Sequence, residues 1–426
     1  MKKKEIVILS SFFNSNFINQ FYELDKSLKN LDYNEQVSFI KKKNFLSRVD
    51  FGFFFSKEYE TIELFTGTIF PIKKLFIQEN INELNQNIGV LKLIEKWDPK
   101  IIIFRDINSF SIRKINSLKN IRKLKFKTVL LNGFPIRDKK DYSLFDFVVF
   151  RNPWLINKYS NLCKNTELIY HCFNTNILNE IKIKEFDKRE VNISFDGSSY
   201  SDGFYEHKKR YFFLYNLLKK KLIKANIYEK ENFFQKLSYY IFLLTKNISG
   251  SEKKIIFILR FISNINKSFF KRFYKRLDLI IENIENFNST DFKLFFRGPL
   301  KLNFKDTIGK PNFGLDYYRN INNSKISLNI HTESMGDTAA NIRLFEIAGM
   351  KSCMITENFQ NLTDLFLKDK EVITYDSYDE LIEKIYYLKN NLKFAKKIAE
   401  NGHKKLLQAH TDKIRINEYF ELLKKI

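Results

Sequence analysis

The chain has 426 residues, enough for two or three domains, and its hydrophobic fraction of 44% supports large buried cores. Its net charge of +24 suits nucleic acid or an anionic membrane surface as a partner. Lys, Asn, Ile and Phe are abundant whereas Gly and Pro are scarce, so we favour a compositional bias of the genome as the cause. A membrane surface ranks second, and no recognisable motif indicates a specific nucleic-acid partner.

The cysteines and the apolar segments indicate a reducing, aqueous compartment. Cys163, Cys172 and Cys353 have neither metal-ligand spacing nor a disulfide framework, so we expect buried thiols. The N-terminus, MKKKEIVILSSFF, has too short an apolar run for a signal peptide and is interpreted as a first strand. No stretch reaches the length of a transmembrane helix, since Arg260 interrupts the best candidate. We therefore expect a cytoplasmic protein.

Short apolar segments alternate with helical patterns through the first 180 residues. Continuous apolar strands separated by helices are typical of a parallel sheet covered on both faces. The predicted strands are Ile6–Leu9, Ile101–Phe104, Thr128–Leu131, Phe147–Phe150 and Leu168–Tyr170. The predicted helices are Asn19–Leu31 and Val90–Trp97. Ligands of such sheets bind beyond the carboxyl ends of the strands, and polar residues follow these ends: Arg105, Asp106, Asn132 and Arg151.

A second unit of the same kind is predicted to begin near Val191. Its strands are Asn192–Phe195, Phe292–Phe296, Ile326–Ile330, Ser352–Thr356 and Val372–Tyr375. A loop at Asp196–Ser199 follows the first strand, and a helix at Lys413–Ile426 ends the chain. We predict an α/β protein with two Rossmann-like domains. Residues 1–180 form the first domain, 190–410 the second, and 411–426 a final helix.

The segment at about 231–290 separates two strands of the second domain by more than a crossover requires. It is rich in Phe, Tyr, Ile and Lys, and between 231 and 280 ten Lys/Arg outnumber three Asp/Glu. This composition suits a helix lying on the inner face of an anionic membrane, which would make the protein peripheral. The alternative is a helical insert whose aromatic residues face the protein, and we favour it slightly.

Residues 325–357 carry the strongest functional signal, because they read as strand, loop, helix and strand. Asp337 or Thr338 is predicted to cap a helix whose first turn contains the small residues Ala339 and Ala340. The first N–H groups of a helix lack internal partners and attract anions. A phosphate group is therefore expected at this helix start.

Arg343 and Glu346 follow in the same predicted helix and share one face, since they are three residues apart. A cation beside a phosphate site and a carboxylate one turn deeper suit a nucleoside diphosphate. We assign Arg343 to the phosphate and Glu346 to the ribose hydroxyls. The alternative for the pair is a structural contact between the two side chains.

An ordered series of motifs covers residues 290–415. The matching residues are Ser324, Ser327–His331, Arg343–Glu346, Ala348–Gly349, Asn361–Phe366, Tyr375, Glu380–Leu381, Ala399–Gly402, His410–Thr411 and Arg415. In order and spacing this series resembles glycosyltransferases of the GT-B fold, in particular the group 1, CgeB-like (spore-maturation-like) branch. Asn192–Phe195 followed by Gly197 and Arg210 resembles the start of the family's second domain.

The resemblance implies two domains that face each other across a cleft, with the helix at 411–426 packing back on the first domain. It also implies a hexosyltransferase-like enzyme of cell-surface polysaccharide synthesis. Its second domain would hold a nucleotide-sugar donor, UDP- or GDP-linked, and its first domain a glycan, lipid-linked or protein acceptor. It implies no cofactor and no bound metal, because the helix dipole and basic side chains stabilise the leaving diphosphate. The expected donor-binding residues are Glu346, Arg343, Thr338, Ala339, His331, Arg297, Gly298, Gly197 and Arg210. For His331 a packing role is the alternative.

The sequence departs from the family at one position. Many retaining relatives carry two glutamates eight positions apart, and Glu346 matches the second of them. The first position is Thr338, with Glu333 and Asp337 nearby as substitutes. The stereochemical outcome therefore stays open.

The base that would deprotonate an acceptor hydroxyl is sought in the first domain. Asp106 follows a strand and is the first candidate, and His171 is the second. A helix cap or a packing role is the alternative for each. Two other functions stay open: a nucleotide-sugar epimerase of the same fold, and a binding or assembly protein that has lost catalysis.

Overall fold

The computed structural model describes residues 4–10, 22, 26–44, 50–66, 69–107, 109–136, 138–198, 210, 213–214, 216–217, 222–228, 308–309, 314–331 and 336–426. They fall into two compact units, each described by itself below. The larger is drawn from Met1–Asp196, Lys208–Arg210 and Asn312–Ile426, the smaller from Gly197–His207 and Tyr211–Pro311. The predicted strand Phe292–Phe296, the insert at 231–290, Arg297 and Gly298 lie outside the described residues.

The first sheet of the larger unit is parallel, as predicted. Its strands are β1 (Ile6–Ser10), β2 (Thr61–Phe65), β3 (Ile101–Phe104), β4 (Lys127–Asn132), β5 (Phe147–Phe150) and β6 (Thr166–Leu168). They are ordered β2-β1-β3-β4-β5-β6. The sequence did not predict β2, whose centre is Glu63, and β6 begins two residues earlier than predicted. A glutamate interrupts the apolar pattern from which strands are predicted, and the charge pairing that lets it lie in a buried strand cannot be read from that pattern.

Helices cover both faces of the first sheet. They are α1 (Tyr33–Asn44), α2 (Phe51–Phe55), α3 (Ile69–Gln78), α4 (Gln86–Trp97), α5 (Ile112–Arg122) and α6 (Pro153–Tyr159). The short helix that follows, α7 (Ile177–Glu180), buries Ile177 in the core of the second sheet instead. Within the predicted helix at 19–31 the described residues include a 3₁₀ helix, Lys26–Asn30. Val7 and Leu9 belong to one buried cluster, and Ile6 and Ile8 to another. This alternation along β1 places one core on each face.

The second sheet of the larger unit has the strands β7 (Val191–Ser198), β10 (Ser324–Asn329), β11 (Cys353–Glu357) and β12 (Ile373–Tyr375). It is also parallel, in the order β12-β11-β10-β7. Its helices are α8 (Leu315–Asn322), α9 (Ile342–Gly349), α10 (Tyr378–Asn390) and α11 (Leu392–Ala409). In the smaller unit β8 (Lys224–Tyr228) pairs in parallel with β9 (Ile308–Gly309). The α/β fold class with two parallel sheets is therefore confirmed.

Three residues of the loop predicted at Asp196–Ser199 belong to a strand instead, because β7 continues through Ser198. Gly197 is thus a strand residue, and its backbone φ of 151° is an angle that residues other than glycine rarely adopt. The prediction that Gly197 lies in a loop was therefore wrong. A contact with the donor stays a prediction.

The chain crosses from the first sheet to the second at about residue 173 and returns at residue 411. Phe173 pairs in parallel with Thr411, and the Asp412 carboxylate accepts hydrogen bonds from the backbone N–H and the hydroxyl of Thr175 at 3.2 and 2.9 Å. The last helix, α12 (Asp412–Lys424), then buries Ile416 and Tyr419 in the cluster that includes Ile6 and Ile8. The two crossings therefore hold each other in place.

Candidate functional site

The carboxyl ends of the two sheets meet at one place in the larger unit. The loop after β10 contacts the start of α6, where the Thr338 hydroxyl donates a hydrogen bond to the Asn152 side-chain oxygen at 2.6 Å. Gly336 lies against Trp154, since a Cβ built on it would come within 2.4 Å of the indole ring. Carboxyl ends of parallel strands are where such folds bind ligands. This junction is therefore the candidate site.

The helix after β10 begins later than the sequence predicts. Its N-cap is Asn341, whose side-chain oxygen accepts from the Leu344 backbone N–H at 3.3 Å, so neither Asp337 nor Thr338 caps it. The backbone N–H of Ala339 donates to Asn361 at 2.8 Å, which removes it from the expected phosphate cradle. The helix-start prediction was wrong because asparagine caps as well as aspartate.

Buried amides fix the start of α9 to the second sheet. The Asn341 side chain donates to Asn329 at 2.7 Å, and Asn329 donates to Thr356 on β11 at 3.1 Å. Asn329 has no exposed surface. The amino end of α9 is therefore held beside two strand ends, and its first N–H groups lie where an anion would be stabilised.

Glu346 is buried, with 6% of its surface exposed. Its two carboxylate oxygens accept hydrogen bonds from the hydroxyls of Tyr317 and Tyr318 at 2.7 and 2.9 Å. Burial raises the pKa of Glu346, while these hydroxyls and the nearby Arg343 act in the opposite direction. The carboxylate is therefore held in one orientation. Its contact with a ribose stays a prediction.

Arg343 lies over the ring of Phe195, with the guanidinium carbon 4.8 Å from the ring centre. Its Nε and Nη1 atoms are buried and have no hydrogen-bond partner among the described residues. Arg210 lies 6.0 Å from the same ring and donates to the Ile330 carbonyl. The Phe195 ring on β7 thus lies beside both Arg343 and Arg210, two of the predicted donor-binding cations.

His331 follows β10 and is 3% exposed. Its ring Nδ1 lies 2.8 Å from the Glu357 carboxylate, which also accepts from the His331 backbone N–H at 3.0 and 3.1 Å. The Phe359 ring packs against the imidazole at 4.9 Å between centres. The sequence analysis placed His331 at this strand end but did not pair it with Glu357.

The two proposed bases sit differently at the end of the first sheet. His171 is half-buried, and its Nδ1 lies 3.3 Å from an Arg151 guanidinium nitrogen. Because a guanidinium only donates, the neutral ring carries its proton on Nε2. Asp106 is half-buried in a turn, where its backbone N–H donates to Ser109 at 3.2 Å, and Ser111 rather than Asp106 caps α5. A role as base stays a prediction for both.

A charge cluster around the buried Glu63 lies at the same end of the first sheet and includes Lys41, Asp50 and Arg105. Glu63 forms salt bridges of 2.9 Å with both Lys41 and Arg105, and Lys41 bonds Asp50 at 2.7 Å. These cations, with a hydrogen bond from Ser10, outweigh burial and lower the pKa of Glu63 to about 2. Arg105, which the sequence placed facing a ligand, is therefore engaged inside the fold.

A cavity of about 480 Å³ adjoins this cluster. Its lining is mostly amide, carboxylate and hydroxyl side chains, and the residues are Asn34, Val37, Ser38, Lys41, Asp50, Phe53, Asn176, Asn179 and Glu180. Phe53 is 54% exposed. Polar side chains around an aromatic ring suit a hydroxylated ligand.

Sequence reasoning missed the partners of the candidate residues. Tyr317 and Tyr318 precede Glu346 by 29 and 28 positions, so no local spacing connects them. Glu357 could have been found, since it directly follows the predicted strand Ser352–Thr356.

Cys172 and Cys353 are buried and Cys163 is half-buried, all three as free thiols. Within the described residues no three His, Cys, Asp or Glu side chains come together in a group that could hold a metal ion. In the same part of the chain, no helix combines the length and the apolar character needed to cross a membrane.

A family model described as "Glycosyl transferase-like" matches residues 276–421, about a third of the chain. No curated protein sequence matches the chain. Among solved structures, a glycosyltransferase from Rickettsia africae ESF-5 is similar, with a TM-score of 0.51 and 12% identity over 100% of this chain and 99% of that one.

Anabaena HepE, solved with UDP and glucose, is also similar, with a TM-score of 0.52 and 9% identity over 99% of this chain and 100% of that one. HepE solved with UDP-glucose gives 0.53 and 9% over the same shares. At these identities the likeness establishes the fold, which is the GT-B arrangement of two parallel-sheet domains.

Proposed function

We propose that the chain is a glycosyltransferase that moves a sugar from a nucleotide-sugar donor to an acceptor. The observation that carries the proposal is the pairing of Arg343 and Glu346 on α9, at the junction of the two sheet ends. Two nitrogens of Arg343 are buried and have no partner among the residues that the structure describes, as expected of a group that meets an anion. Glu346 is oriented by two tyrosines. The glycosyl transferase-like match over residues 276–421 supports the same reaction.

The donor is proposed to be a UDP- or GDP-linked hexose. UDP and UDP-glucose occur in the HepE structures, and the two cations around Phe195 suit a diphosphate. These cations and the amino end of α9 would stabilise the leaving diphosphate without a metal. Transfer is expected to continue in excess chelator.

The acceptor is proposed to be a glycan, a lipid-linked precursor or a protein, bound by the first sheet. The cavity beside Lys41 has a lining suited to hydroxyl groups. The CgeB-like branch, polysaccharide synthesis and a membrane contact of the insert at 231–290 belong to this proposal as untested parts. Sedimentation with anionic and neutral vesicles tests the last of them.

Substitution of Glu346 tests the proposal. We expect Glu346→Gln to lower donor affinity about 10- to 100-fold, because a charge-assisted hydrogen bond to the ribose is lost. The glutamine amide keeps an oxygen that accepts a hydrogen bond from one tyrosine hydroxyl. The melting temperature of the variant is therefore expected to match that of the wild type. Glu383→Gln, on the exposed face of α10, is the matched control. Calorimetry with a panel of UDP- and GDP-sugars measures the effect.

Three results would count against the proposal. Full donor binding and transfer by Glu346→Gln would reject the assigned residue. A changed sugar formed from donor alone would indicate an epimerase. Absence of binding to every nucleotide sugar by the folded wild type would favour a binding or assembly protein.

A further inference from the structure

Glu357 and Phe359 fix the His331 ring. The Glu357 carboxylate lies 2.8 Å from Nδ1 and accepts from the backbone N–H of His331 at 3.0 Å, and Phe359 packs edge-on against the imidazole. The side chains of His331 and Glu357 are 2% and 5% exposed. The imidazole therefore has one orientation.

One nitrogen of this ring has no hydrogen-bond partner in the part of the chain that the structure describes. His331 Nε2 is buried, and no described residue lies within hydrogen-bonding reach of it. Because a carboxylate only accepts, Nδ1 carries the proton and Nε2 of the neutral ring presents a lone pair. Buried polar atoms in folded proteins nearly always find a partner. A lone pair held this rigidly is built to accept a hydrogen bond.

We infer that the His331–Glu357 pair recognises the transferred sugar of the donor, with Nε2 accepting a hydrogen bond from a sugar hydroxyl and Glu357 acting as the positioning residue. This inference rests on the proposed function and assigns a separate part of the donor to each group. A phosphate offers acceptors, so it suits the donors of Arg343 and not the Nε2 lone pair. The ribose is assigned to Glu346, which leaves the glycosyl hydroxyls for His331.

Binding of two ligands that differ only in the sugar tests the inference. The probes are a nucleotide sugar that binds the wild type and its free nucleoside diphosphate. His331→Ala is expected to weaken nucleotide-sugar binding about 5- to 10-fold while leaving diphosphate binding within twofold. Glu357→Gln, which keeps one oxygen for Nδ1–H, should retain more affinity than Glu357→Ala. His403→Ala, on α11 away from these strand ends, is the matched control.

Histidine-selective ¹⁵N NMR gives a second measurement that needs no turnover. The chain has five histidines, so His331→Ala identifies the resonances of His331. We expect the Nδ1–H tautomer in the free protein, and a shift of Nε2 with the nucleotide sugar that the diphosphate does not produce.

The outcomes separate the two proposals. Equal loss of sugar and diphosphate binding in folded His331→Ala, or an Nε2–H tautomer, would overturn the sugar contact and leave the glycosyltransferase proposal standing. Failure of the wild type to bind any nucleotide sugar or diphosphate would overturn both.

Discussion

The carboxyl ends of the two sheets contrast in how their charged groups are satisfied. At the end of the first sheet, Glu63 is bonded by Lys41, Arg105 and Ser10. At the end of the second, Arg343 and His331 keep buried nitrogens without a partner in the described part of the chain. Both ends are built on parallel strands, so topology alone does not explain the difference.

The contrast separates groups that stabilise the fold from groups that await a ligand. Charges that neutralise one another inside a fold contribute to it only as a complete set, since loss of one leaves the others buried and unpaired. A buried donor without a partner lowers stability and is retained where it binds something. The first sheet end is therefore expected to respond to mutation in stability, and the second in binding.

Removal of Glu63 has the largest expected effect. Glu63→Ala leaves Arg105 without its partner and Lys41 with Asp50 alone, and should lower the free energy of unfolding by about 3–5 kcal/mol. Urea denaturation measures it, with Glu58→Ala at an exposed position as the control. If Glu63→Ala lowers the free energy of unfolding no more than the control does, Glu63 does not stabilise the fold and the contrast fails at the first sheet.

Acid should remove the contribution that the charged Glu63 carboxylate makes to the free energy of unfolding. The pKa of Glu63 falls to about 2 from an ordinary 4.5, so its stabilisation is complete above pH 4.5 and is lost as the pH falls toward 2. The amount is about 3 kcal/mol. Urea titrations of the wild type and Glu63→Gln should therefore converge over this range. A constant difference between them would show that Glu63 titrates normally.

A side chain at Gly336 should disturb the junction of the two sheet ends. Gly336 has a φ of 63°, and its Cβ would overlap the Trp154 ring at 2.4 Å. We expect Gly336→Ala to cost about 2–3 kcal/mol and to impair transfer. Gly133→Ala is the matched control, because its Cβ would lie 3.6 Å from the nearest atom, on His171. Equal melting temperatures for the two variants would contradict the close contact.

Arg343→Met tests whether the charged groups at the end of the second sheet act in ligand binding and not in stability. The free energy of unfolding should stay equal or rise slightly, because two buried nitrogens without a partner among the described residues are removed, while diphosphate affinity falls about 10- to 100-fold. Calorimetry and a thermal melt measure the two effects. Arg319→Met is the control, since Arg319 is exposed on α8 and forms a salt bridge with Asp316. Destabilisation with unchanged affinity would make Arg343 a structural residue.

The strands and the candidate residues differ in how far the sequence predicted them. Apolar runs such as Ile101–Phe104 gave strands with their bounds, because a strand buried on both faces needs apolar side chains throughout. Thr61–Phe65 was missed because Glu63 is paired with residues 22 positions before it and 42 after it. Asn341 displaced the predicted cap because several polar residues near it can cap equally well.

The sequence by itself determined the two parallel sheets and placed Arg343, Glu346 and His331 at the end of the second. Periodicity and order along the chain are local properties, and they suffice for this. Only the tertiary structure decided which of these groups have partners: Tyr317 and Tyr318 for Glu346, Glu357 for His331, and none for two nitrogens of Arg343 among the described residues. Pairing depends on distances between atoms from different elements, and those are fixed only when the sheets and helices pack.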